Sequence, residues 1–184
     1  MINENKNYND NFIKKDMIKL SEIIKSGNSQ TVVNKELGKI TIDKGDIGKN
    51  GYGLLHIIEN RKKENRENDE IAAILYFVIQ SAKKGKINRK IPKDNPMRIE
   101  LEKNGIIAIL SLKRFNKEER WLLTGFDSNE KKEEATEAIK TVIAVYDRSP
   151  EFSDFRKQVG AAASSLNKIS QNIDKKSRNR IASR

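Results

Sequence analysis

Apolar side chains recur every three or four residues in three segments of this 184-residue chain, and that spacing places them on one face of an α-helix. We predict helices over residues 16–26, 71–84 and 130–147. Asp16 is expected to cap the first helix and Gly27 to end it. Each apolar stripe covers only one side of its helix, so the three helices should pack against a shared core.

Between the second and third predicted helices the apolar period changes to two, which is typical of β-strands. We predict antiparallel strands over 97–101, 106–113 and 120–126, and a short earlier strand over 39–43. The Asn-Gly pair at 104–105 predicts a tight hairpin between the first two strands of the group. The strand over 106–113 begins with residues that are apolar on both faces, so we expect it at the centre of the sheet.

Regular alternation along 120–126 gives this strand two distinct faces. One face carries Trp121, Leu123 and Gly125, and the other carries Arg120, Leu122 and Thr124. Trp121 is expected to be a core residue rather than a platform for a nucleobase.

The order of the elements, helices first and a strand meander second, favours an α+β fold with N-terminal helices packed on a small antiparallel sheet. We expect a helical lead-in over 1–35 with a frayed start, a main domain over 36–147, and a basic C-terminal extension over 148–184 that is helical or mobile. Residues 27–35 are expected to form a connector, and residues 85–96 a basic loop marked by prolines.

The glycine-rich stretch 45–61, GDIGKNGYGLLHIIENR, runs directly into a short apolar helix that carries the only histidine of the chain. At 100° per residue, the apolar residues Leu54, Leu55, Ile57 and Ile58 fall on one arc, and His56 lies opposite its centre. A lone histidine is either a hydrogen-bonded structural residue or a group that transfers protons, and its polar position beside a glycine loop allows both.

Charge narrows the classes of partner that this chain suits. Lys and Arg number 37 against 26 Asp and Glu, which gives a net charge of +11 and favours a polyanionic partner. The absence of cysteine excludes disulfides, thiol nucleophiles and cysteine zinc sites. No apolar run approaches the roughly 18 residues needed to span a bilayer, so we expect no membrane partner.

Several motifs resemble the phage-associated branch of the barnase–EndoU–colicin–RelE-like nuclease superfamily. The motifs are GDIG, GYGLLHIIENR, KKGKI and RWLLTGFD, in that order, over about residues 36–128. Members of this branch often occur as toxin modules on phage head proteins and in polymorphic toxin systems. The resemblance implies N-terminal helices against a four-stranded antiparallel sheet, with an extra C-terminal helix and basic tail in this chain. It also implies a metal-independent endoribonuclease with His56 in the active site and with Arg120 and Thr124 on a sheet face that lines the cleft.

The residues support the chemistry that such an enzyme needs. A histidine with an ordinary pKa near 6.5 suits proton transfer at neutral pH. Positive side chains stabilise the charge that develops on the phosphate, and Lys113, Arg114 and Arg120 are the candidates near one hairpin. Their structural alternative is a solvated turn, and the alternative for Thr124 is an ordinary strand residue.

Two further candidates for RNA contact are Tyr52 and Arg61. Tyr52 would stack on a base, or else pack beside the helix start. Arg61 would contact a phosphate, or else pair with Glu59 or another carboxylate. The carboxylates Asp43, Asp46 and Glu59 do not form a recognisable metal set, so we predict no metal and no cofactor.

We therefore predict a toxin-like endoribonuclease that generates 2′,3′-cyclic phosphate and 5′-hydroxyl ends by attack of the 2′-hydroxyl. The alternative is a non-catalytic nucleic-acid-binding protein, or a phage- or secretion-associated interaction protein, of the same fold. The expected partners are RNA, with tRNA as one target, and a cognate immunity or antitoxin protein. The expected site of action is the cytoplasm, with a phage or a secretion system as the route of delivery.

Overall fold

The structure is a computed structural model that describes residues 4–88, 97–114 and 117–182. Helices and strands alternate in small groups along these ranges, which confirms the α+β class. In chain order the elements are α1 Glu4–Ser26, β1 Gln30–Asn34, β2 Gly38–Ile42, α2 Gly53–Lys63, α3 Asn68–Lys84, β3 Lys86–Asn88, β4 Arg98–Lys103, β5 Ile106–Arg114, β6 Lys117–Asp127, α4 Lys132–Tyr146 and α5 Pro150–Ala182.

The six described strands form one curled, mixed sheet in the order β1-β2-β6-β5-β4-β3. The four-stranded antiparallel sheet implied by the resemblance is therefore wrong in two respects. First, β2 and β6 pair in parallel through Thr41 and Trp121. Second, the predicted connector 27–35 contains β1, which pairs with β2 and adds an edge to the sheet. Likewise, the predicted loop 85–96 contributes β3 to the opposite edge, and residues 89–96 lie outside the described residues.

The central hairpin follows the prediction. Asn104 and Gly105 have φ angles of 53° and 71°, so both central residues of the turn between β4 and β5 are left-handed. This is the turn geometry that an Asn-Gly pair favours, because its twist matches that of the strands. β5 lies between β4 and β6, which confirms its central position.

The regular alternation predicted for β6 is wrong, because irregularities interrupt its pairing with β5. Ile109 pairs with Thr124, whereas the next residue, Leu110, pairs with Leu122. One residue of β6 is thus skipped, as in a β-bulge. As a result Leu122 and Gly125 both face the helices, and a Cβ atom at Gly125 would collide with the side chain of Val78.

Helix α3 forms the centre of the core, and it contacts β1, β4, β5 and β6 on one face of the sheet. Every residue from Ile71 to Ala82 is buried, which agrees with the predicted stripe and extends it around the helix. The helix begins after Glu67, whose side chain forms a reciprocal capping box with Glu70. Asp69, two residues after this cap, therefore lies within the first turn of α3.

The first and last helices pack together against α3. The expectations of a frayed start and of a cap at Asp16 are wrong, because α1 begins at Glu4 and Asp16 lies inside it. Asp16 is 7% exposed, and its carboxylate accepts hydrogen bonds from Gln80 at Oδ2 and from Lys83 at both oxygens. Burial of this charge is tolerated because both oxygens have partners.

The C-terminal extension is helical, as one of the two expectations stated. Its first half contributes an apolar stripe to the core, and this stripe comprises Phe152, Phe155, Val159, Ala163 and Leu166. A single hydrophobic cluster includes residues of α1, α3, the sheet and α5. In the described part of the chain, no helix has the length and apolar character needed to cross a membrane.

Candidate functional site

The glycine loop folds back on the first turn of α2. Asp46 and Tyr52 exchange two backbone hydrogen bonds of 3.0 Å, and this closes the loop. Gly45 has a φ of 77°, and a Cβ atom there would collide with the carbonyl group of Tyr52. The first amides of α2 then donate to the end of the preceding strand, since Leu54 N–H bonds the carbonyl of Asp43. Backbone carbonyls thus satisfy N–H groups that a side-chain cap would otherwise serve.

His56 lies on the polar side of α2, as predicted, with its side chain 19% exposed. Its Nε2 atom is 3.1 Å from Nδ2 of Asn60, one turn further along the helix. Its Nδ1 atom is buried against the loop and has no hydrogen-bond partner among the described residues. A Cβ atom at Gly51 would lie 2.5 Å from this Nδ1, so the ring occupies space that only glycine leaves open.

The environment favours the neutral imidazole. Burial lowers the pKa of His56 below its ordinary 6.5, and the positive charges of Lys63 and Arg61 act in the same direction. The carboxylate of Glu59 opposes them. A neutral ring at pH 7 is the form that accepts a proton, so the position suits a general base.

Glu59 joins the histidine to the loop. One of its oxygens, Oε2, accepts a 2.9 Å hydrogen bond from the backbone N–H of Gly48 and lies 3.8 Å from Nδ1 of His56. The other oxygen, Oε1, is 2.9 Å from Nζ of Lys63. Burial alone would raise the pKa of Glu59, but the hydrogen bonds from Gly48 and Lys63 outweigh it and the pKa is lowered. Glu59 is therefore ionised at neutral pH.

A cluster of one cation and two aromatic rings lies beside the start of α2. The rings of Tyr52 and Trp121 meet edge to face with centroids 4.7 Å apart. The guanidinium of Arg114 lies 5.0 Å from the Trp121 ring and 6.0 Å from the Tyr52 ring, within the range of cation–π attraction. We call Tyr52, Trp121 and Arg114 the aromatic–arginine cluster.

Asp43, the buried residue that follows β2, anchors this cluster. Nη1 of Arg114 is 2.8 Å from Oδ2 of Asp43, whose other oxygen accepts a hydrogen bond from Ser29. Trp121 Nε1 donates to the carbonyl of Lys113 at 3.0 Å. Trp121 is only half-buried and lies on the face opposite Leu122, so it is not the interior residue that the sequence predicts.

The remaining predicted residues are distributed over three places. Lys113 and Arg120 line one cavity of about 200 Å³ near the β5–β6 hairpin, while Arg114 points to the aromatic rings. Thr124 is half-buried and pairs with Ile109 on the face turned away from α3. The polar and ionic contacts of His56 are made with Asn60 and Glu59 on its own helix.

Arg61 forms ion pairs, which is the structural alternative stated for it. Its side chain is 10% exposed, with Nη1 3.2 Å from Asp127 and Nη2 2.9 Å from Glu64. The partner expected first, Glu59, pairs with Lys63 instead. Arg66 shares Asp127 with Arg61 at 2.6 Å, so one carboxylate at the end of β6 holds two cations.

Sequence reasoning did not assign Glu59, Asn60 or Asp43 a part in this site. Helical spacing carried a signal for the first two, because Glu59 and Asn60 follow His56 by three and four positions. The pairing of Asp43 with Arg114 joins distant segments and leaves no local signal.

Comparisons with known proteins add no match. No protein-family model matches the sequence, and neither the curated proteins nor the solved structures show significant similarity to it.

Proposed function

We propose that this protein is a metal-independent endoribonuclease in which His56 accepts the proton of a ribose 2′-hydroxyl. The observation that supports this most directly is the environment of the ring: a partly buried imidazole whose surroundings lower its pKa, held by a glycine loop at a helix start, on a chain with a net charge of +11. In the reaction the 2′-oxygen bonds to phosphorus and the bond from phosphorus to the 5′-oxygen breaks. The 2′-hydroxyl proton moves to the histidine, and the leaving 5′-oxygen is protonated by the imidazolium or by water.

The aromatic–arginine cluster supplies the binding surface in this proposal. His56 contacts Gly51, the next residue is Tyr52, and Tyr52 packs on Trp121 under Arg114, so the ring and the cluster are continuous. Aromatic rings with an adjacent arginine suit single-stranded RNA, because bases stack on the rings while the cation attracts phosphate. Arg114 would then exchange its ion pair with Asp43 for one with a phosphate.

The cavity lined by Lys113 and Arg120 would hold a neighbouring phosphate of the RNA. Thr124 would face the RNA strand as it crosses the sheet. We propose that the open side of the sheet corresponds to the cleft of the barnase–EndoU–colicin–RelE-like fold. Two features support this: α3 covers one face of the sheet, and Trp121 and Thr124 lie on the other. A toxin of this kind would act in the cytoplasm and require an immunity or antitoxin protein.

The test uses purified protein and RNA in the presence of EDTA. We expect cleavage products with 2′,3′-cyclic phosphate ends, and no cleavage when the 2′-hydroxyl at the cut site is replaced by hydrogen. His56→Ala should lower the rate by about 10²–10⁴-fold, the usual contribution of a general base. Lys140→Ala, which removes an exposed cation from α4, serves as the control and should cleave normally. Unchanged cleavage by a folded His56→Ala variant contradicts the assigned base.

A second candidate is RNA binding without cleavage. It is favoured because, among the described residues, the polar and ionic contacts of His56 are made with Asn60 and Glu59 of its own helix. In that case RNA binds with an affinity that falls steeply as salt rises, and intact RNA is recovered. Arg114→Ala would weaken binding, whereas His56→Ala would leave it unchanged.

A further inference from the structure

We propose that Glu59 is a positioning residue that keeps a proton on Nδ1 of His56 and thereby leaves Nε2 as the atom that accepts a proton. This inference rests on the proposed function, in which His56 is the general base. It assigns to Glu59 a role through the histidine, without contact to the RNA.

The two ring nitrogen atoms of His56 have different surroundings. Nδ1 is buried between the loop and Glu59, and the closest carboxylate oxygen is Oε2 of Glu59 at 3.8 Å. If Nδ1 carried no proton, its lone pair would face a negative oxygen across a buried gap, which is unfavourable. With the proton on Nδ1, a partly positive N–H group instead of a lone pair lies 3.8 Å from that oxygen. Nε2 is then the acceptor for the side-chain amide of Asn60 at 3.1 Å.

The same carboxylate also holds the loop that confines the ring. Oε2 accepts the Gly48 N–H, and this bond places the loop where Gly51 meets His56. When Nε2 takes a proton, the ring becomes positive and its Nδ1–H is attracted more strongly to Oε2. Glu59 therefore stabilises the charged ring that the reaction produces, as carboxylates beside catalytic histidines do.

Other charged groups near the ring also affect the pKa of His56, each in the direction that its sign requires. On α2, Lys63 is 65% exposed and pairs with Oε1 of Glu59, so it weakens the hold of Glu59 on the imidazolium. Arg61 is paired with Asp127 and faces the core. The loop carries Asp46 and Lys49, whose side chains are exposed. Opposite effects are thus expected from removing Glu59 and from removing Lys63.

Because the chain has a single histidine, the tautomer and the pKa of His56 can be measured without RNA. Ring ¹⁵N and ¹H signals of His56 are the only histidine signals of the chain, so NMR titration reports the tautomer and the pKa directly. Glu59→Gln keeps an acceptor for Gly48 and removes the charge. We expect it to lower the pKa of His56 and to shift the neutral ring away from the Nδ1–H form. Lys63→Gln should raise that pKa, and Lys140→Gln should leave it unchanged.

The outcomes separate this inference from the proposed function. An unchanged tautomer and pKa in a folded Glu59→Gln variant overturn the role of Glu59, even if RNA is cleaved. The predicted NMR shifts without any RNA cleavage uphold the role of Glu59 in placing the proton and reject the nuclease. If Glu59→Gln fails to fold, the Lys63→Gln titration decides, because no rise in the pKa of His56 contradicts the proposed coupling. In an active enzyme, the acid limb of the rate–pH profile should move with the measured pKa in each variant.

Discussion

Asp127 is a shielded, doubly paired carboxylate whose removal should destabilise the fold. It ends β6 and pairs with Arg61 at 3.2 Å and with Arg66 at 2.6 Å. The side chains of Asp127 and Arg61 are 12% and 10% exposed, so the pair is shielded from water, whereas Arg66 is 25% exposed. Asp127→Asn keeps the size and one acceptor oxygen and removes the negative charge.

The expected loss of stability depends on the ion pair that Arg61 keeps in the variant. Removing one partner of a buried ion pair costs about 3–5 kcal/mol, because the other charge stays buried without compensation. Arg61 keeps Glu64 at 2.9 Å, and that carboxylate is 47% exposed, so part of the cost is recovered. We therefore expect a loss of about 2–3 kcal/mol for the Asp127→Asn variant. The pair with the more exposed Arg66 adds less than about 1 kcal/mol.

Urea unfolding followed by circular dichroism measures this loss. For an m-value of about 2–3 kcal/mol per molar urea, the midpoint should fall by about 1 M. The matched control is Asp147→Asn, which breaks a pair with Arg156 whose side chains are 54% and 36% exposed. That variant should lose less than about 1 kcal/mol. Equal losses in the two variants would refute the reasoning from burial.

Three further predictions test other parts of the fold. Phe155→Ala should cost about 3–5 kcal/mol in thermal or urea unfolding, because the ring is fully buried where α5 joins the core, and a loss below 1 kcal/mol would show that α5 is dispensable. Gly125→Ala should cost about 1–3 kcal/mol through collision with Val78, and the added change Val78→Ala should restore part of it. Burial alone would raise the pKa of Glu102, but its hydrogen bonds, chiefly with Lys131, outweigh burial and lower the pKa below 4.5. Its stabilising contribution is therefore full above pH 4.5 and is lost as pH falls through the lower folded value, so Glu102→Gln should flatten the acid limb of a stability–pH curve.

Local patterns predicted the parts of the fold that local geometry determines. Leu54, Ile57 and Ile58 are buried on one side of α2, and His56 lies on the other side, as helical spacing requires. The Asn-Gly turn formed where its left-handed preference indicated. The strands β4, β5 and β6 also formed where the sequence predicted them, although a bulge interrupts the alternation of β6.

Features that depend on contact between distant segments were missed. The parallel pairing of β2 with β6 and the irregular register opposite Ile109 arise from how the sheet curls, and neither has a local signature. The apolar stripe of α5 did have a local signature, because Phe152, Phe155 and Val159 follow a spacing of three and four. The high charge of the surrounding residues concealed it.

At the site, the sequence identified the histidine and its helix but could not supply its neighbours. The proximity of Gly51 and the salt bridge from Arg114 to Asp43 result from the folded loop and from a sheet register that brings remote residues together. For Arg61 both a phosphate role and an ion pair were open, and only tertiary structure provides its partner at Asp127.

The central place of β6 in the sheet affects how the chain folds during translation. β1 and β2 leave the ribosome early, yet β6, the strand that pairs with the other edge of β2, is synthesised after α3 and after three more strands. One edge of β2 thus stays unpaired until late in synthesis, and the closure of such a long loop is entropically costly and slow. Because Phe152 and Phe155 of α5 complete the core, a ribosome-bound nascent chain would remain incompletely folded until α5 has emerged.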